Sequence, residues 1–193
     1  VDQVAGEPYL SFLAPGLIMM AITQNAFANT SSSILISKIQ GNIVDLLMPP
    51  LTPLERLVGL AGGGLTRGVI VGIATWVAML PFVPVSIAHP LFILFHAVMA
   101  SLFMSLVGVL AGVWAEKFVH MAAITNFVVT PAAFLSRTFY SAERLPAFWQ
   151  GVAHMNPLFY MIDGFRYGFI GHADGSLIAG ILVLLGSNAV LLW

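Results

Sequence analysis

From Leu57 to Ala115 the chain carries one charged side chain, Arg67. A helix crosses the ~30 Å of bilayer hydrocarbon in about 20 apolar residues. The run is therefore too long for one crossing. Pro81, Pro84 and Pro90 interrupt it near the middle, where the missing N–H and the fixed φ of proline let a chain turn. Two spans are predicted, at about 54–80 and about 88–113. Water could not receive such helices. The 193-residue chain is 59% hydrophobic and 8% charged, against about 25% charged for soluble domains. A soluble fold of this size has too little interior to hide that apolar surface.

Other uncharged runs fit the same solvent. Pro8 to Ser37 contains no charge. Its core is Phe12 to Ala28, followed by the polar stretch Asn29 to Ser33, which predicts one span with amphipathic last turns. Phe118 to Ser136 and Leu177 to Trp193 make a fourth and a fifth span. Residues 137–176 are mixed. Arg137, Glu143, Arg144, Asp163, Arg166 and Asp174 stand among many aromatics, a composition suited to a membrane interface. Short interfacial or re-entrant helices are expected there. The predicted fold is an all-α integral membrane domain of five spans occupying 1–193. Thr52-Pro53-Leu54-Glu55 reads as a helix start, with Thr52 as N-cap and Glu55 closing a capping box. Asn156-Pro157 is a second such start.

Net charge is −1, which gives nucleic acid no electrostatic footprint. Cysteine is absent, so disulfide frameworks and thiolate metal sites are excluded. The histidines at 89, 96, 120, 154 and 172 form no i,i+4 pair with an acid between, and no metal site is expected. Loop charge does not orient the chain. Lys38, Arg56 and Lys117 fall on one side, and Arg137, Arg144 and Arg166 on the other. The first residue is Val1, and no basic residue follows the last apolar run, so a fragment truncated at the N-terminus and at the C-terminus is expected.

Several residues invite a functional reading beside a plainer one. Gly64, Gly68 and Gly72 recur every four residues, and Ser101, Ser105, Gly108 and Gly112 line one side of the next span. Small residues at this spacing let helices approach closely in lipid. They serve either packing within the chain or a dimer seam or path. Arg67 lies well inside a span and either snorkels to the headgroups or lines a cavity. Asp163 and Arg166, three apart, make either a local ion pair or a gate. Ser101, Ser105 and His96 are an imaginable nucleophile and base, although no Gly-x-Ser-x-Gly elbow and no orienting acid accompany them. An intramembrane enzyme is therefore a weaker reading, as is a non-transporting assembly or scaffold protein. The chain holds no phosphate-cradling Gly-x-x-x-x-Gly-Lys-Ser/Thr loop, so any ATP-driven work must come from a partner.

The segment Lys38-Ile-Gln-Gly-Asn-Ile-Val-Asp-Leu-Leu-Met-Pro-Pro-Leu follows a helical period in Ile39, Ile43, Leu46 and Leu47 and must end near Pro49-Pro50. Taken alone, it is a short amphipathic helix on a membrane surface. Together with Tyr9-Leu-Ser-Phe-Leu-Ala-Pro-Gly-Leu-Ile-Met-Met, Phe27-Ala-Asn-Thr-Ser-Ser-Ser, Leu135-Ser-Arg-Thr-Phe-Tyr-Ser and Asn156-Pro-Leu-Phe-Tyr-Met-Ile-Asp-Gly-Phe-Arg-Tyr-Gly-Phe-Ile-Gly, it resembles the ABC-2 type permeases, near the drug, polysaccharide and nodulation-factor exporters. The one departure is Arg137, where a small residue is expected. The resemblance implies a multi-pass protein of the bacterial inner membrane with six spans, the first lying upstream of Val1. It implies a permease homodimer with two copies of an ABC ATPase subunit, which would carry the ATP and Mg; no cofactor is expected in this chain. The cargo would be amphipathic or lipid- or polysaccharide-like and would be exported. Residues 38–50 would be a cytoplasmic coupling helix that includes Gly41, with Ile39, Ile43 and Leu46 docking on the ATPase and Lys38 and Asp45 at the rim. Residues 137–176 would form an extracytoplasmic re-entrant region. Arg67, Asp163 and Arg166 are the candidates for a translocation or gating role.

Overall fold

The computed structural model describes residues 3–4, 7–83, 87–136, 156–171 and 175–193. Residues 137–155 and 172–174 of the expected re-entrant region, with Arg137, Glu143, Arg144 and Asp174, lie outside the described residues. A two-residue antiparallel pair, Gln3–Val4 with Glu7–Pro8, precedes the first helix and is the one departure from an all-helical chain among the described residues.

Helix α1 runs unbroken over Tyr9–Ile39. Its polar stretch does not end it, because the hydroxyls bond back to their own helix. Ser31 Oγ donates to the Phe27 carbonyl at 2.7 Å, Ser33 Oγ to Asn29 at 2.7 Å and Ser37 Oγ to Ser33 at 2.9 Å. A hydroxyl satisfied in this way is tolerated where no water is available. Gly41 then adopts a left-handed φ of 76°, which residues with a Cβ rarely adopt, and α1 stops. The short α2 covers Ile43–Leu47 and ends before Pro49-Pro50. Residues 38–50 are therefore not one helix: Lys38 and Ile39 belong to the last turn of α1.

The next two spans match the sequence closely. Helix α3 is Pro53–Met79, opened by the Thr52 capping box: Thr52 N donates to Glu55 Oε2 at 2.7 Å, and Glu55 N to Thr52 Oγ1 at 3.3 Å. Helix α4 is Pro90–Trp114. The fourth apolar run is a rod in three parts: α5 at Phe118–Ile124, a π-helical turn at Thr125–Val129, and α6 at Thr130–Leu135. Pro131 accounts for the wide turn, since its ring clashes with the carbonyl four residues back and it has no N–H to donate. Helix α7 spans Pro157–Ile170, with Asn156 as N-cap and Gly171 closing it at φ 78°. Helix α8 spans Leu177–Leu192.

Three helices, α1, α3 and α4, are long and apolar enough to cross a membrane; Phe118–Ala133 and Leu177–Leu192 are shorter apolar helices. At 1.5 Å per residue, α8 reaches ~24 Å, against ~30 Å of hydrocarbon.

Helix α4 is the centre of the bundle, packed on α1, α3, α7 and α8. The small-residue stripes form the seams inside this chain. A Cβ on Gly64 would lie 2.9 Å from the Ala26 carbonyl oxygen, and one on Gly108 would lie 2.7 Å from that of Phe27. Ser101 Oγ donates to Leu65 O at 3.0 Å and Thr30 Oγ1 to Ser105 O at 2.9 Å, stitching α4 to α3 and α1. Close backbone approach and hydroxyl bridges replace the hydrophobic drive that lipid removes.

Candidate functional site

Three places hold chemistry that packing alone does not explain: the end of the bundle at α2, the exposed stripe of α1, and the buried charges of α7.

At the α2 end, no residue of α2 is buried. Val44 is 52% exposed, Leu47 55% and Met48 75%. Ile43 and Leu46 are half-buried, while Gly41, Asp45 and Ile39 are exposed. The outward apolar surface is thus Ile39, Val44, Leu47 and Met48, shifted from the expected Ile39, Ile43 and Leu46. The shift follows from the turn at Gly41, which breaks the single helical period assumed for 38–50. Lys38 is not at a free rim. Its Nζ donates to the Val113 carbonyl, and to that of Ala115 at 3.1 Å. An ammonium on the carbonyls that end a helix satisfies groups with no partner of their own and complements the helix dipole. These bonds also bring the 38–56 and 114–117 connections to one end of the bundle.

Above that end, α1 presents a polar stripe outward. Gln24, Ala28 and Ser33 are exposed, and Asn25, Asn29 and Ser32 half-exposed. On one flank lies a cavity of about 380 Å³ with a mixed lining: polar Gln24, Asn25, Ser31, Ser32, Thr125 and Thr130, and apolar Phe27, Ala28, Met121 and Val129. On the other flank stands α3 with Arg67, whose Nη1 donates to Asn29 Oδ1 at 3.2 Å. Arg67 is exposed and is the fifteenth residue of a 27-residue helix. Its guanidinium is held at the level of Asn29, ten residues before the end of α1 at Ile39. Polar side chains are unfavourable where they meet hydrocarbon.

At the far end, α7 is buried between α1 and α4. Asp163 is 5% exposed and Arg166 4%. The Arg166 guanidinium lies 3.9 Å from the centre of the Phe12 ring, a cation–π contact, and Asp163 Oδ2 accepts from the Gly175 amide at 3.0 Å. His89 stacks on Tyr167 at 4.7 Å, and the amides of Ala88 and His89 both donate to Gly168 O. His96 packs against Gly164, while Ser101 and Ser105 face α3. The imagined serine–histidine constellation is therefore divided between two neighbours.

The structure thus leaves Arg67 apart from Asp163 and Arg166: one lies on an open stripe, and two are in a packed core. Asn25 and Thr125 were not singled out from the sequence, and Asn29 entered only as the start of the polar run after Ala28; for Thr125 the signal is the nearby Pro131.

A bundle with three helices long and apolar enough to cross a membrane is the build of a multi-pass membrane protein. The chain belongs to the ABC-2 type transporter family, which it matches over residues 3–170. It is 41% identical over 186 residues to the inner membrane transport permease YadH of Escherichia coli strain K12, covering 95% of this chain and 73% of that protein. The same figures hold for the proteins of that name from Escherichia coli O157:H7 and Shigella flexneri. No solved structure matches. Permeases of this family normally work with an ATPase partner.

Proposed function

We propose that this chain is the permease subunit of an ATP-driven exporter in a bacterial inner membrane, moving an amphipathic, lipid- or polysaccharide-like cargo. The observation that carries this reading is the build of α1. One unbroken helix bears the polar stripe and ends, through Gly41, at the exposed apolar surface of α2. A push on α2 is thereby a push on the stripe.

In this reading the 38–50 region is cytoplasmic and receives force from two copies of an ABC ATPase subunit that carry ATP and Mg. Val44, Leu47 and Met48 make the apolar contact, with Ile39, Ile43 and Leu46 behind them and Gly41 and Asp45 at the edge. Lys38 passes the movement to the end of α4. The α1 stripe lines the path, completed by a second copy of the permease. The rod at 118–135 and α8 count as the fourth and fifth crossings of a six-span whole. The 137–176 region lies outside, where α7 with Asp163 and Arg166 steadies the exit side. Bistable packing between helices suits such a rocking motion.

The test is reconstitution with the partner ATPase in vesicles. Replacing Leu47 and Met48 together by Asp is expected to leave insertion intact and to reduce cargo-stimulated ATP hydrolysis to the basal rate. Full stimulation in that variant would remove the α2 contact from the account.

A further inference from the structure

The cavity beside α1 takes the polar lining of its other wall from the π-helical turn. Thr125 is the first residue of that turn, and Thr130 follows its last. A π-helical turn inside an α-helix is rare and is found frequently at functional sites. Across the space, Gln24 and Ser31, and likewise Asn25 and Ser32, stand seven residues apart on α1, two turns along one face. The volume, about 380 Å³, falls within the usual range of small-molecule sites.

The hydrogen bonds already made decide what this lining still offers. A hydroxyl has one proton to donate and two lone pairs. Ser31 Oγ gives its proton to the Phe27 carbonyl at 2.7 Å, Ser32 Oγ to that of Ala28, and Thr125 Oγ1 to that of Met121 at 2.9 Å. With their protons committed, these three hydroxyls can only accept. Asn25 Nδ2 donates to Ala21 O at 2.9 Å, which leaves that side chain one N–H and its carbonyl oxygen. Gln24 and Thr130 can each turn a donor or an acceptor to the space. The fixed groups are thus mostly acceptors, with a few donors among them. A phosphate or carboxylate only accepts, so it sets lone pairs against lone pairs. An ammonium only donates, so it leaves the Asn25 N–H unmatched. A hydroxyl does both, and a ring of hydroxyls does so in several directions. Phe27 and Met121 supply apolar wall between the polar groups, which suits the C–H face of such a ring.

We infer that the cavity between α1 and the π-helical turn binds a neutral, polyhydroxylated group, which donates its hydroxyl protons to Asn25 Oδ1, Ser31, Ser32 and Thr125. The inference rests on the exporter reading for treating this group as part of the cargo. It deepens that reading by fixing the chemistry of the group that passes α1: a neutral donor of hydrogen bonds, not an anion and not hydrocarbon alone.

The chain has no cysteine, so a reporter thiol can be placed in the cavity without background. The experiment uses the purified full chain carrying Ala28→Cys, at an exposed lining position, in a sugar-free polyoxyethylene detergent with no ATPase present. It reads the rate of alkylation by a maleimide. The probes share one tail: octyl glucoside, octylamine and octyl phosphate. Octyl glucoside is expected to slow alkylation at a lower concentration than the other two. Thr125→Val removes the hydroxyl and keeps the branched shape. That change and Asn25→Leu are each expected to raise the octyl glucoside concentration needed by about fivefold, as loss of one hydrogen bond predicts. The octylamine and octyl phosphate curves stay where they were, and this, with an unchanged unfolding midpoint, shows that the variants are folded. Equal protection by all three probes overturns the inference, since the tail alone would then be bound. So does stronger protection by octylamine or octyl phosphate, no protection by octyl glucoside, or protection unchanged in both variants. Loss of protection in the variants together with a coupling test that fails at α2 would keep the hydroxyl site and remove the ATP-driven exporter. A coupling test that succeeds where octyl glucoside gives no protection would remove the hydroxyl site and keep the exporter.

Discussion

The two ends of the bundle are built on opposite plans. At the α7 end, a mixed helix with two charges is sunk between α1 and α4. Phe12 sits under Arg166, and glycines at 164 and 168 admit His96 and Ile93. At the α2 end, a mostly apolar helix of five residues has none of them buried, and Lys38 ties the end of α1 to the end of α4. Charges are buried where apolar groups are expected, and apolar groups are exposed where charges are expected. Buried charges held by several neighbours fix a geometry, whereas an exposed apolar surface at a helix end is a place for another protein. The difference reads as an anchor at one end and a handle at the other, with α1 running between them.

Four substitutions press on that contrast, in falling order of effect on stability. Gly64→Leu forces the α1–α3 seam apart, since even a Cβ meets the Ala26 carbonyl, and is expected to destabilise the protein by about 3 kcal/mol or more; thermal unfolding in detergent measures it. Arg166→Met removes the contact with Phe12 and is expected to cost about 2 kcal/mol by the same assay. A change under about 0.5 kcal/mol there would mean that the anchor is not held by its charge. Lys38→Met withdraws both bonds to the end of α4 and is expected to cost about 1 kcal/mol. It is also expected to weaken ATP-driven transport more than so small a loss of stability explains. Leu47→Asp alone should shift stability by less than about 0.5 kcal/mol while reducing transport about tenfold, as loss of a well-packed interface contact does. A Leu47→Asp protein that unfolds easily would show α2 to be part of the packed structure and would erase the distinction between the ends.

Much of this contrast was legible in the sequence, and the illegible part has physical causes. The spans at 53–79 and 90–114 follow from uncharged length, and the Thr52–Glu55 box fixed a boundary to the residue. The glycine stripes foretold close seams without saying which helices met. The polar stretch Asn29 to Ser33 reads as the amphipathic end of one span, and α1 continues through it because serine hydroxyls bond to the carbonyl four residues back. The expected single helix at 38–50 failed at Gly41, where a left-handed residue divides a period that looks continuous on paper. For α7, composition does not show which neighbours bury its charges, because its partners on α1 and α4 lie far away in sequence. Arg67 was visible as an intramembrane charge; that it faces Asn29 and an open flank is tertiary information.

The central claim is that α2 is the contact through which a separate ATPase moves α1. The chain has no cysteine, so one can be placed without background. Met48→Cys, in membranes containing the assembled transporter, would be treated with a short bifunctional thiol crosslinker and the adduct identified by mass. The account predicts a covalent adduct with the ATPase subunit that forms in high yield in one nucleotide state and in low yield in the other. An adduct absent in every nucleotide state, from a transporter that still moves its cargo, would contradict it.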